Sequence, residues 1–220
     1  MRQRMPDQPN PFSQGDPLPP PGQDPATYSQ RFNHAPVAAR VPERVARGVF
    51  STGVCIQDTP SEFILDFLQA LSHPRAVTAR VVLSPLAMMS FVNAMRDGLQ
   101  RYTQTFGPPA PLPKPPPQRP PTIQEIYEQF KLPEEMYSGS YANTFMISSS
   151  PSEFSIDFIT GFYPTASVSN RIYLSAQQFP RVLETLGAAL QQHQVRYQQQ
   201  PLQQQQPPPP PQEPQEPQPG

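Results

Sequence analysis

The chain of 220 residues has no tryptophan, a single cysteine and ten glycines, and neither sign of charge predominates. Cys55 alone forms no intramolecular disulfide framework and no zinc-binding cysteine cluster, which suits a reducing compartment. No segment approaches the roughly 20 consecutive apolar residues of a membrane-spanning helix. The basic start MRQRMPDQPNPF is followed by no apolar run. A cytoplasmic protein without a membrane partner is therefore expected. Sixteen Lys and Arg against seventeen Asp and Glu leave a net charge of -1, too little to attract nucleic acid or an anionic lipid surface. No glycine-rich phosphate loop follows a strand-like run, and no G-x-S-x-G occurs. His34, His73 and His193 are scattered and predict no metal site.

Proline is plentiful, and its placement divides the chain. Of 35 prolines, ten fall in residues 1–48, nine in 108–121 and nine in 201–220. Such segments bury too little apolar surface to offset the entropy of ordering them. They predict a disordered arm (1–48), a proline-rich linker (108–140) and a disordered Pro/Gln tail (198–220). The linker contains P-x-x-P spacings beside Lys114 and Arg119, here read as a stiff spacer. After it, TIQEIYEQF carries a capping box, Thr122 to Glu125, and an apolar set of Ile123, Ile126, Tyr127 and Phe130. This predicts a short helix over 122–131, docked on the second copy or free to bind another protein.

The two stretches between these segments are copies of each other. TPSEFILDF (59–67) returns as SPSEFSIDF (150–158), ninety-one positions later. At that offset, residues 50–102 align with 141–193 without a gap. Ile56, Glu62, Phe63, Asp66, Phe67, Val77, Arg80, Leu83, Ser84 and Leu99 recur identically as Ile147, Glu153, Phe154, Asp157, Phe158, Val168, Arg171, Leu174, Ser175 and Leu190. One domain has been duplicated, giving repeats at 49–107 and 141–197.

Each copy follows the same pattern. TFMIS and EFSIDFI alternate, with Phe154, Ile156 and Phe158 on one face and Glu153, Ser155 and Asp157 on the other, as in a half-buried hairpin. Cys55 lies between Val54 and Ile56 in the equivalent first strand and is read as a small buried hydrophobe. VTARVVLS and VSNRIYLS form a third strand, with Val168, Ile172 and Leu174 inward. The period then becomes helical. Ser84-Pro85 is a start signal, Ser175 with Gln178 a capping box, and Gly107 a stop. Met88, Val92, Met95 and Leu99 make one apolar stripe, matched by Phe179, Leu183, Leu186 and Leu190. Pro180 is expected to delay the second helix.

The fold expected is α+β, two tandem β-β-β-α repeats. At about 53 residues a lone copy would bury only roughly 60% of its unfolded surface, so the copies are expected to pair about a pseudo-twofold axis as an internal pseudo-dimer. The linker spans on the order of 30 Å, enough for docking in cis.

The second copy, with Tyr141-Ala142-Asn143, SPSEFSIDF, RIYLS and an amphipathic helix, resembles a family of short prokaryotic proteins, domain-of-unknown-function family 3467. The resemblance implies single-copy relatives with a Y-A-N start, an E-F-x-x-D-F phrase, an R-I-x-[LM]-[ST]-P segment and a terminal Y-x-x-x-[FY]-G. The first copy matches at Arg80, Leu83, Ser84, Pro85, Tyr102, Phe106 and Gly107 and departs at Phe50-Ser51-Thr52. The second departs at Ala176 and lacks the terminal motif. No activity or cofactor comes with the resemblance.

Glu62, Asp66 and Arg80, with Glu153, Asp157 and Arg171, are the charged residues shared by both aligned copies. On a strand, Glu62 and Asp66 would lie about 13 Å apart, too far for a glycosidase pair. Cross-strand ion pairs of Asp66 with Arg80 and of Asp157 with Arg171 would pin register on the face opposite the core. A partner surface is the functional alternative. No catalytic, cofactor or metal residue is assigned. The expectation is a non-enzymatic protein-interaction or scaffolding module with an unidentified protein partner. The first alternative is a single-stranded nucleic-acid binder, disfavoured because the phenylalanines face the core and the polar face is acidic. The second is an enzyme with a site where the repeats meet.

Overall fold

The computed structural model describes residues 39–113, 119, 121–162 and 165–198. The expectations for residues 1–38, for the linker at 114–118 and 120, and for the tail from 199 onward lie outside the described residues.

The first copy runs through α1 (Glu43–Ala46), β1 (Val49–Phe50), β2 (Gly53–Asp58), β3 (Phe63–Gln69), β4 (Ala76–Leu83) and α2 (Pro85–Phe106). The second follows with α3 (Ile123–Gln129), a 3₁₀ turn at Glu134–Met136, β5 (Ser140–Tyr141), β6 (Thr144–Ser149), β7 (Glu153–Thr160), β8 (Ser167–Ser175) and α4 (Phe179–Gln198). The α+β class and the tandem duplication hold. Ser84 caps α2 by accepting a hydrogen bond from the Ala87 amide at 3.2 Å, with Pro85 in the first turn. Pro180 sits in the first turn of α4, whose start at Phe179 lies three residues beyond the position equivalent to Pro85.

Each sheet has four strands, and the fourth comes from the other copy. The first-copy sheet runs β2-β3-β4-β5 and the second-copy sheet β1-β8-β7-β6. β5 pairs in parallel with β4 (Val81 opposite Ser140), and β1 pairs in parallel with β8 (Val49 opposite Ile172). Just upstream, Lys131 bridges Ala76, and Arg40 bridges Ser167. The leading segments are thus exchanged. This corrects two boundaries read from the sequence: residues 39–48 are not arm and 131–140 are not spacer, because each run covers a strand edge that would otherwise stand open. Two-residue strands have too few positions to show a period.

Within each sheet the antiparallel registers match, Asp66 opposite Arg80 and Asp157 opposite Arg171, each followed by a bulge one or two residues on. Phe63, Leu65 and Phe67, and their counterparts Phe154, Ile156 and Phe158, are fully buried on the inner faces. α2 crosses to pack on β6 and on α4, while α4 packs on β2. Phe91 of α2 lies between Phe145 and Phe158 of the other copy, with ring centroids 4.9 Å from each. The apolar stripes of both helices join one continuous core drawn from both copies. At roughly 1.5–3 kcal/mol per fully buried large side chain, this shared core holds the two copies together.

Candidate functional site

The repeated phrase at the start of each second strand builds a turn. Thr59 Oγ1 accepts from the Glu62 amide at 3.0 Å and donates to the Glu62 carboxylate at 2.6 Å. Ser150 does the same for Glu153, at 3.1 and 2.6 Å. Glu62 lies just before β3 and Glu153 is the first residue of β7, and in each the turn hydroxyl engages the carboxylate. The turns are also where the copies lock together. The Tyr102 hydroxyl donates to the Pro151 carbonyl at 2.8 Å, and the ring of Tyr102 lies 5.0 Å from Phe154. At the equivalent place on the other side, His193 Nε2 lies 3.0 Å from the Thr59 carbonyl and its ring 4.6 Å from Phe63. His193, scattered in sequence, is buried here as the counterpart of Tyr102.

On the outer face of each sheet sits a carboxylate–arginine clamp. Arg80 donates through Nε and Nη2 to the two oxygens of Asp66 at 2.7 and 2.8 Å. Arg171 grips Asp157 at the same distances. The remaining terminal nitrogen of each arginine holds the exchanged segment, since Arg80 Nη1 donates to the Tyr137 carbonyl at 3.1 Å and Arg171 Nη1 to the Ala46 carbonyl at 3.2 Å. Asp66 and Asp157 are buried, and their bidentate bonds hold both arginine pKa values above the ordinary one. Gly139 and Gly48, at φ +66° and +64°, lead the exchanged chain past these arginines. A Cβ on Gly139 would stand 2.8 Å from Arg80 Cγ, and one on Gly48 2.5 Å from Tyr173 Cε2.

The two outer faces then diverge. On the first-copy sheet α3 lies across the clamp, capped by Thr122 and Glu125 in a full capping box. The Tyr127 hydroxyl donates to Asp66, and it accepts from Arg80 Nη2 at 3.0 Å and from Gln57 Nε2 at 2.5 Å. The sequence expectation placed this helix on the second copy; it docks on the first, because the leading segment it belongs to is exchanged. Beneath it Cys55, paired with Asp66 across β2 and β3, is 5% exposed. Burial, reinforced by the Asp66 charge, pushes its thiol up to about 11. Burial also raises the Tyr127 hydroxyl, with the bond to Asp66 acting in the same direction.

On the second-copy sheet Met146, in the place of Cys55, is 52% exposed, while Phe50 (41%) is exposed to the same extent as its counterpart Tyr141 beside the first-copy sheet (40%). Beside Phe50 runs a groove of about 490 Å³ lined by Ser148, Ser149, Glu153, Ser155 and Tyr173. Among the described residues Asp157 accepts from Arg171 alone. Glu62, Asp66 and Arg80 do not converge with their counterparts in a shared pocket; each set serves its own sheet and turn. Tyr127, Gln57 and Tyr173 were not singled out as site residues by the sequence, because a helix docking on a sheet face leaves no spacing signal.

Comparison with known proteins agrees with this architecture. The model of a protein family of unknown function, DUF3467, matches twice in tandem, over residues 18–110 and 113–200. The second match includes α3 and β5, so these belong in sequence to the second copy although they lie on the first-copy sheet. No curated protein matches the chain. The chain belongs to the DUF3467 family, as two copies of its unit in one polypeptide.

Proposed function

We propose that this protein is a non-enzymatic interaction module whose working surface is the outer face of the second-copy sheet. One observation carries the reading: two pseudo-equivalent faces are built alike, one covered by α3 and the other, among the described residues, carrying no helix over Met146 and the serine-lined groove. An apolar sheet face rimmed by hydroxyls suits a protein partner. The charged groups repeated in both copies are consumed in clamps and turns, which leaves them to hold the scaffold rather than to act on a substrate. The cytoplasm is the compartment that best suits a chain with one buried thiol.

The test is site-specific photo-crosslinking of the full chain in its native cell. A crosslinker at position 146 is expected to capture a discrete protein, and one at the covered equivalent, position 55, to capture none. Equal capture from both positions, or none from 146, overturns the reading.

A further inference from the structure

The Tyr127 hydroxyl lies where three groups of the first-copy sheet converge. It donates to the Asp66 carboxylate and accepts from Arg80 Nη2 and Gln57 Nε2, so its donor and both acceptor positions are used. These groups are held in place without it. Asp66 is buried and gripped by Arg80 through two bonds that owe nothing to α3. Asp157 and Arg171 make the same two bonds at the same distances, and among the described residues Asp157 takes no third. The first-copy face is therefore a finished site for a phenol hydroxyl, which α3 happens to supply.

α3 itself is lightly held. None of its residues is buried, and Ile126 and Tyr127 are half-buried, as is Phe130 at its end. Seven residues are too few to stay helical in water, so the segment unwinds when it leaves the sheet. Its C-terminal end is pinned. Phe130 leaves the helix extended, at φ -113° and ψ 118°, and Lys131 is tied to the start of β4 by two backbone hydrogen bonds of 2.9 Å, donating to the Arg75 carbonyl and accepting from the Val77 amide. The pairing of β5 with β4 lies beyond that point, so α3 can swing about Phe130 and Lys131 with the sheet intact. Segments with so few buried contacts open locally, well below the free energy of global unfolding.

We propose that the outer face of the first-copy sheet is a binding site for a tyrosine hydroxyl carried on a short helix, and that α3 is its detachable ligand in cis, a strap that lifts off Gln57, Asp66 and Arg80 as a unit while the shared core stays closed. The hydroxyl fixes the seat. A phenylalanine in its place would cover the Gln57 amide and the Asp66 carboxylate with an aromatic edge that cannot bond them, which penalises the closed state. The site involves no residue of the second-copy face, so it stands or falls apart from the reading of that face.

Amide hydrogen exchange of the full chain at low urea reads the strap. The Ile126 and Phe130 amides, bonded to the Thr122 and Ile126 carbonyls, are expected to exchange about a hundred-fold or more faster than the β3–β4 ladder, with little dependence on urea. Tyr127→Phe is expected to speed α3 exchange about ten-fold or more and to leave the ladder unmoved, which also verifies that the variant is folded. The site is read in Tyr127→Ala, whose strap is loosened. A synthetic peptide of residues 121–130, PTIQEIYEQF, is expected to slow alkylation of Cys55 saturably in this variant, and the same peptide with phenylalanine for tyrosine to require about ten-fold higher concentration. Exchange of α3 only together with the ladder overturns the proposal, as does α3 exchange indifferent to Tyr127→Phe. Equal protection of Cys55 by the two peptides, or none at millimolar peptide, overturns it as well.

Discussion

Phe67 and Phe158 occupy the same position in the two copies, and their rings meet with centroids 5.5 Å apart. A residue can touch its own counterpart only beside an axis that relates the two. The pseudo-twofold axis therefore passes between these rings, and exchanged strands, crossed helices and paired turns are arranged about it. This is the arrangement of a homodimer with swapped leading segments, joined here into one polypeptide.

Gly139 and Gly48 allow the exchange, because each turns the leading chain at positive φ against an arginine-bearing strand. Gly139→Ala is expected to cost about 1–3 kcal/mol from backbone strain and the clash with Arg80. Gly48→Ala, which meets Tyr173 and Arg171, is expected to cost at least as much. Urea unfolding at neutral pH reads both, and a change under about 0.5 kcal/mol, the usual range of a neutral surface substitution, would show that the chain takes another path.

The clamp predicts an asymmetry between breaking and replacing it. Asp66→Asn leaves Arg80 and Tyr127 facing a neutral amide, and loss of one partner from a buried pair costs about 3–5 kcal/mol. The double variant Asp66→Leu with Arg80→Met removes both charges and is expected to lose less than the sum of the single variants. Asp157→Asn is expected to be milder than Asp66→Asn, since among the described residues no α3 rests on it. A double-mutant cycle by chemical denaturation gives these values.

Cys55 reports on the seat of α3. Its folded pKa lies above its ordinary value, so the neutral thiol is the form the fold favours. The stability it contributes is complete below pH 9 and is lost as pH rises toward about 11. The melting temperature of the native protein is expected to fall more steeply over that interval than that of Cys55→Ala. At pH 8 the thiol is expected to resist alkylation, and Tyr127→Ala to accelerate it at least several-fold while the far-ultraviolet spectrum is unchanged. Equal alkylation rates would mean that α3 does not shield the thiol.

The exchange also fixes what half a chain can do. Residues 39–113 lack β5, and their core-facing residues meet no partner. Expressed alone, this half is expected to be unfolded or to dimerise with itself. Co-expressed with residues 119–198 it is expected to form a one-to-one complex, measurable by light scattering. A folded monomeric half would contradict the shared core.

Much of this was legible in the sequence. Alternation and helical spacing identified three strands and a helix in each copy, because inward Phe, Ile and Leu recur at period two and the stripe from Met88 to Leu99 at the helical period. The Thr59 and Ser150 turns and the Asp–Arg register are local pairings, and local pairings repeat when a domain is duplicated. What the sequence could not show is that β1 and β5 change places, that His193 stands in for Tyr102, or that α3 covers one sheet face while, among the described residues, no helix covers its counterpart. Exchange between copies keeps every residue's own pattern intact and alters only its partner. Partnership is decided by which apolar surfaces and free strand edges meet in space, and no linear spacing records that.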